Sequence, residues 1–133
     1  MKFSPSQGTA VVSDRSFLLR RDRAAAPALR AVYPSLAQLR IELRFDGSGG
    51  TLPVPQTHLL HPPARAFFVF PCPYADCDGQ FDLAAAVSAA LGGASLRTDG
   101  HMECAGQRAG GRASRRPCRL SLYYSITATP TPA

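Results

Sequence analysis

The stretch AQLRIELRF, residues 37–45, places Ala37, Leu39, Ile41, Leu43 and Phe45 on alternate positions, with Gln38, Arg40, Glu42 and Arg44 between them. A period of two sends every apolar side chain to one side of an extended strand and every polar one to the other. A helix, with its period of 3.6, cannot sort these residues. The chain therefore contains a strand with one buried and one wet face, as antiparallel sheets commonly do.

The remaining elements fall around this strand. DGSGG at 46–50 is a turn. TLPVPQTHLLHPP at 51–63 is proline-rich and extended, an edge strand or a loop. ARAFFVFPC at 64–72 reads as a further strand, apolar on both faces between Phe67 and Phe70 and so expected near the centre of the sheet. FDLAAAVSAALGG at 81–93 reads as a short helix, with Asp82 as N-cap and Gly92-Gly93 as its stop. Another strand is expected near Ser95–Cys104. CRLSLYYSIT at 118–127 is the last, with Cys118, Leu120, Leu122, Tyr124 and Ile126 on one face. Upstream, helix formers run from Asp14 to about Val32, interrupted by Pro27 and ended by Pro34. The expected organisation is a basic N-terminal arm with a short helix at 1–34, a single domain at 35–127 and a disordered tail at 128–133.

Four cysteines come as two pairs, Cys72 with Cys77 and Cys104 with Cys118. Each falls at a strand end or in a turn. If the last two strands form a hairpin, Cys104 and Cys118 meet at the base of its loop. Four arrangements suit such thiols: a tetrathiolate zinc site, unrelated core positions, disulfides, or a redox pair. The paired spacing favours zinc, because turns between extended segments can aim four sulfurs at one tetrahedral point. Backbone N–H groups in a tight turn stabilise thiolate charge, and Asp78-Gly79 suits that turn. With 133 residues, the chain has a modest core that a structural metal would reinforce. His101 is the main rival ligand, but its odd offset from Cys104 points it to the opposite strand face. His58 and His61 read as surface or satisfied histidines.

The net charge is +6, and it is uneven. Residues 1–40 carry +5, residues 41–96 carry −3 and residues 97–133 carry +4. Such ends permit an anionic partner. AGQRAGGRASRRP at 105–117 is a basic, glycine-rich loop between two cysteines. Arg108, Arg112, Arg115 and Arg116, with Arg119 just beyond, are the candidate contacts to nucleic acid, and Tyr123 adds an aromatic face for RNA bases. The opposing reading is a solvated charge run. Asp76, Asp78 and Asp82 read as capping and turn residues.

The paired thiols on turns, with antiparallel strands around them over roughly residues 66–126, resemble the zinc-ribbon class in general. The resemblance implies a structural metal and a binding role toward protein or nucleic acid rather than catalysis. Phosphate-binding glycine loops, G-x-S-x-G and H-E-x-x-H are absent from the sequence, and four cysteines would leave a zinc ion no open position. The expectation is a non-enzymatic α+β domain: a small antiparallel sheet of about four strands, one or two short helices and a structural Zn2+ on Cys72, Cys77, Cys104 and Cys118. Its partner is RNA or DNA through the arginine loop. The alternative is a protein-interaction module, and a thiol–disulfide oxidoreductase is more remote. No small-molecule substrate is inferred. No apolar run reaches the length of a membrane span. The first residues lack the order of a secretory signal, so a cytoplasmic protein with reduced thiols is expected.

Overall fold

In the computed structural model, which describes residues 17–47, 51–109 and 115–132, the alternating stretch is strand β1, Leu36–Asp46. Leu39, Ile41 and Leu43 are buried while Arg40 and Arg44 are exposed, as the period of two requires. On one side β1 pairs with β2, Gln56–Leu60, which confirms the edge-strand option for the proline-rich stretch. On the other it pairs along its length with β8, Ser121–Pro130. β8 in turn pairs with β5, Arg97–Glu103. All three pairings are antiparallel and the order is β2-β1-β8-β5. The architecture is thus α+β with a four-stranded antiparallel sheet and short helices.

Helix α3, Ala84–Gly92, buries Val87 and Ala90. Its first turn is capped from one residue further out than the N-cap position: the Asp82 carboxylate accepts the N–H of Ala84 at 3.0 Å, while Leu83 occupies the N-cap itself. The upstream helix formers give two pieces. Helix α1 covers residues 17–25 and helix α2 is Leu29–Val32. Pro27 lies in the break, where its carbonyl accepts the N–H of Ala66 at 2.8 Å and Leu29 donates to the Ala64 carbonyl at 2.9 Å. Leu29 is fully buried in the common core, so α2 is tied to the body of the fold although it lies on the arm side of residue 34.

Two expectations change. The run around Phe67–Phe70 is not a central strand. Only Val69–Pro71 is extended, as β3, and it pairs with β4, Gln80–Asp82, in a separate two-stranded sheet. Its two apolar faces have another cause: Phe68 packs into the core, while Phe67, Val69 and Phe70 line a groove. At the other end, β8 continues to Pro130, Ala128 is buried, and Thr131 donates to the Ser35 carbonyl at 2.8 Å. Residues assigned to a tail from 128 therefore extend the strand.

The core joins the inward face of the sheet (Leu39, Ile41, Leu43, Leu122, Ile126) to Leu29, Leu83 and Val87. Each such aliphatic side chain, fully buried, contributes about 1.5–3 kcal/mol of transfer free energy. Cys72, Cys77 and Cys104 belong to the same cluster, so the thiols sit at one end of the core rather than on a surface.

Candidate metal centre

Two loop systems bring the cysteines together. Cys72 follows β3, and its N–H donates to the Gly79 carbonyl at 3.0 Å. Cys77 lies in the turn beyond, donating to Tyr74 at 3.1 Å. Cys104 follows β5 and prolongs the pairing with the last strand by donating to Leu120 at 2.8 Å. Cys118 follows β7, Arg115–Pro117, which forms a small hairpin with β6, Gln107–Ala109. Its N–H donates to Gly106 at 3.0 Å. The expected presentation, two pairs of thiols on turns beside extended segments, is the one observed.

All four sulfurs lie within 4.8 Å of one another. The short approaches run between the two loop systems, Cys72 Sγ to Cys118 Sγ at 3.8 Å and Cys77 Sγ to Cys104 Sγ at 3.6 Å. A tetrahedron of metal–sulfur bonds near 2.3 Å has edges of about 3.8 Å, so the cluster has the size of a tetrathiolate site. No disulfide joins the four. They form a buried cluster capable of holding a metal ion.

Backbone donors point at the sulfurs in a repeated way. Gly79 N–H lies 3.3 Å from Cys77 Sγ and Gly106 N–H lies 3.4 Å from Cys104 Sγ. The backbone of Tyr74 donates to Cys72. Each donor stands two residues after its cysteine, where a tight turn aims the amide back at the side chain. Two donors are glycines because the loops back directly onto each other. A Cβ on Gly79 would overlap Cys104 Sγ, and one on Gly106 would overlap the Gly79 backbone. Gly106 escaped the sequence reading, yet a signal was there: Cys77-Asp78-Gly79 and Cys104-Ala105-Gly106 are the same C-x-G unit.

Burial pushes the Cys104 thiol up to about 12, with the Gly106 N–H opposing and neighbouring Cys77 adding to the rise. Cys72 is raised for the same chief reason, against the Tyr74 hydrogen bond, and the other three thiols add to it. Such a cluster ionises only when a cation compensates it, which is the condition a thiolate-bound dication satisfies.

The arginine loop is committed to this centre. Arg108 Nε lies 3.0 Å from Asp76 Oδ1, and its guanidinium sits 3.9 Å from the centroid of the Tyr74 ring. Arg115 pairs with Asp78. Asp78 also accepts the Gln107 N–H at 2.7 Å, and Asp76 accepts the Ala109 N–H on its carbonyl at 3.1 Å. Asp78 is held below the usual carboxylate range, chiefly by the Gln107 amide and then by Arg115. Asp76 and Asp78 are thus cross-loop partners rather than simple turn formers, while Asp82 does cap a helix. Of the other candidate nucleic-acid contacts, Arg116 stands opposite Arg108 in the β6–β7 register and is exposed. Arg119 is exposed and has a left-handed backbone, φ 57°. Arg112 lies outside the described residues.

The histidines lie elsewhere. His101 stacks on Tyr123 with ring centroids 4.8 Å apart on the outer face of the sheet. His58 packs on Phe70 at 4.6 Å, its pKa lowered by burial and then by Arg23. His61 is exposed beside Pro62. Among the described residues, only the four cysteines gather as a metal-sized group. No described helix is long and apolar enough to cross a membrane.

Comparison with family models, curated proteins and solved structures gives no match. The likeness to the zinc-ribbon class therefore rests on the thiol cluster and not on a matched topology.

Proposed function

We propose that the chain is a non-enzymatic binding module whose loops are closed by one structural zinc ion on Cys72, Cys77, Cys104 and Cys118. The observation that carries this reading is the mutual approach of all four sulfurs within 4.8 Å. Four soft thiolates in a tetrahedral arrangement select zinc or iron, and they leave no position for a reacting water. A site of this kind persists where thiols stay reduced, so a cytoplasmic location accompanies the proposal. The test is metal analysis with a visible spectrum. One zinc per chain in colourless protein, lost in Cys104→Ser, is the expected result. Stoichiometric iron with visible absorbance would change the metal, and a folded chain that takes up neither metal when it is added would end the proposal.

Contact with RNA or DNA is a second reading, supported by one row of side chains across the sheet. Arg44 and His101 both stand opposite Tyr123 in register, and the Arg44 guanidinium lies 5.8 Å from the Tyr123 ring centroid. Arginine and aromatic groups on an outer sheet face suit stacked bases. Arg112, Arg116 and Arg119 are the loop residues assigned to phosphates, with Arg108 and Arg115 holding the loop in place. A salt titration of single-stranded RNA binding tests this. Replacing Arg112, Arg116 and Arg119 by Ala should flatten the salt slope by up to about three units, and Tyr123→Ala should lower affinity by about 1–3 kcal/mol at unchanged slope. Absence of binding in the unaltered chain would remove the reading.

A further inference from the structure

β2 is an outer strand of the four-stranded sheet, and β3 pairs only with β4 among the described residues. A groove of about 870 Å³ lies between them. Its walls are lined by every residue of β2, from Gln56 to Leu60, and every residue of β3, from Val69 to Pro71. Alternate residues of a strand point to opposite faces. A wall that includes consecutive residues therefore presents the strand's edge rather than one face. In β2 that edge is a row of N–H and C=O groups, whereas in β3 the side away from β4 carries the N–H and C=O of Val69 and only the carbonyl of Pro71. The His58–Phe70 contact spans from one strand to the other.

Open edges are normally blunted by charge, proline or cover. β2 carries no Lys, Arg, Asp or Glu, and prolines stand outside it, at Pro55 and at Pro62-Pro63. Val54 and Leu59 leave apolar side chains exposed on and beside it. The groove is chiefly apolar, with Leu60, Phe67, Val69 and Phe70 in its lining. Among the described residues its charged lining groups are Arg23 and Arg65, both cationic. Arg23 lies 5.3 Å from the Phe67 ring centroid, and Arg65 reaches the Ala26 carbonyl at 3.0 Å.

We propose that the groove between β2 and β3 receives an extended peptide from a partner protein, added as a strand against the β2 edge with β3 as the opposite wall. Its side chains are alternately apolar and carboxylate-bearing, the carboxylates meeting Arg23 and Arg65. Main-chain hydrogen bonds to the edge supply affinity, and the alternation supplies specificity. Five residues of edge correspond to about 17 Å of added strand, so the recognised segment is short. The site is separate from the Tyr123 row, which faces outward from the sheet.

The probe is a fluorescein-labelled heptapeptide alternating valine with glutamate, titrated into the zinc-loaded full chain. It is compared with a version carrying lysine for glutamate and with one whose alternate backbone amides are N-methylated. The glutamate peptide should bind about ten-fold or more tighter than either, through charge complementarity in one comparison and backbone pairing in the other. Arg23→Glu, folded by circular dichroism, should largely abolish the preference for glutamate over lysine, since it leaves Arg65 as the one opposing charge. Hydrogen exchange at β2 and β3 should slow on peptide addition. Equal affinity for the glutamate and lysine peptides, or unchanged exchange at both strands, would overturn the proposal. So would displacement of the peptide by a single-stranded RNA 20-mer, or binding that emerges only after residues 1–16 are deleted. The last would give the groove to the chain's own segment.

Discussion

Gly79 and Gly106 stand two residues after Cys77 and Cys104, donate to their sulfurs, and back onto each other across the site. What either position lacks in side chain is what allows the two loops to close. An added methyl at Gly106 meets Gly79 backbone atoms, which cannot swing aside as a flexible side chain would. Gly106→Ala should therefore destabilise the zinc-loaded chain by about 1–3 kcal/mol, the usual cost of overpacking, and weaken its hold on zinc. Gly92 is the contrast. Nothing lies within 4 Å of its would-be Cβ at the end of α3, so Gly92→Ala should be neutral or stabilising by up to about 1 kcal/mol. Urea denaturation of the two variants measures both. Equal effects at the two positions would mean that the loop contact is not what constrains Gly106. The cysteines were legible in the sequence as residue types that gather on metals. The Gly106 role was hidden because a glycine's meaning depends on which backbone lies across from it, and that backbone is 27 residues away.

At the scale of elements, β1 and β8 pair from Leu36 to Asp46, whereas β3, β4, β6 and β7 are three residues each. Two-stranded pieces this short do not hold by themselves. They are joined to each other through the thiols and the Asp76–Arg108 and Asp78–Arg115 pairs, and to the core through Phe81 and the backbone bonds around the cysteines. Removing the metal with a chelator should thus expose amides in β3, β4, β6 and β7 to hydrogen exchange while β1 and β8 stay protected. Loss of protection everywhere at once would make the zinc site inseparable from the whole fold, and no change anywhere would make the metal incidental. The same division explains which elements could be read from sequence. β1 and the 122–126 face of β8 alternate because one side meets the core, so period alone reveals them, although the strand expected from Cys118 begins only at Ser121, after the left-handed Arg119. β3 misled because a run apolar on both faces fits a central strand and also a strand between a core and a groove, and only the pairing decides. The ion pairs of the arginine loop were not legible because Asp76 and Asp78 lie 32 and 37 residues from Arg108 and Arg115 in sequence and adjacent in space.

Over the whole molecule, three of the four thiols share one buried cluster with the leucines of the sheet, so metal binding, proton binding and stability are linked. In the metal-free fold the Cys104 pKa stands near 12 against an ordinary 9.0, and Cys72 is also raised. A thiol whose folded pKa exceeds its unfolded value contributes stability below the unfolded pKa and loses it as pH rises toward the folded one. Metal-free protein should therefore weaken between about pH 9 and 12 and show little thiol-linked change on mild acidification. The zinc-loaded protein should respond with the opposite sign. Binding displaces protons from up to four neutral thiols, so each unit of falling pH lowers apparent zinc affinity by as much as about 10⁴-fold below the thiol pKa values. Zinc then leaves, and with it the stabilisation it gives by binding the folded chain alone. Thermal melts from pH 5 to pH 9, with and without equimolar zinc, separate the two. The curves should converge toward acid and diverge toward neutral pH, with zinc raising the melting temperature only where the thiols hold it. Melts that coincide across the whole range would show that the four sulfurs do not act as one site.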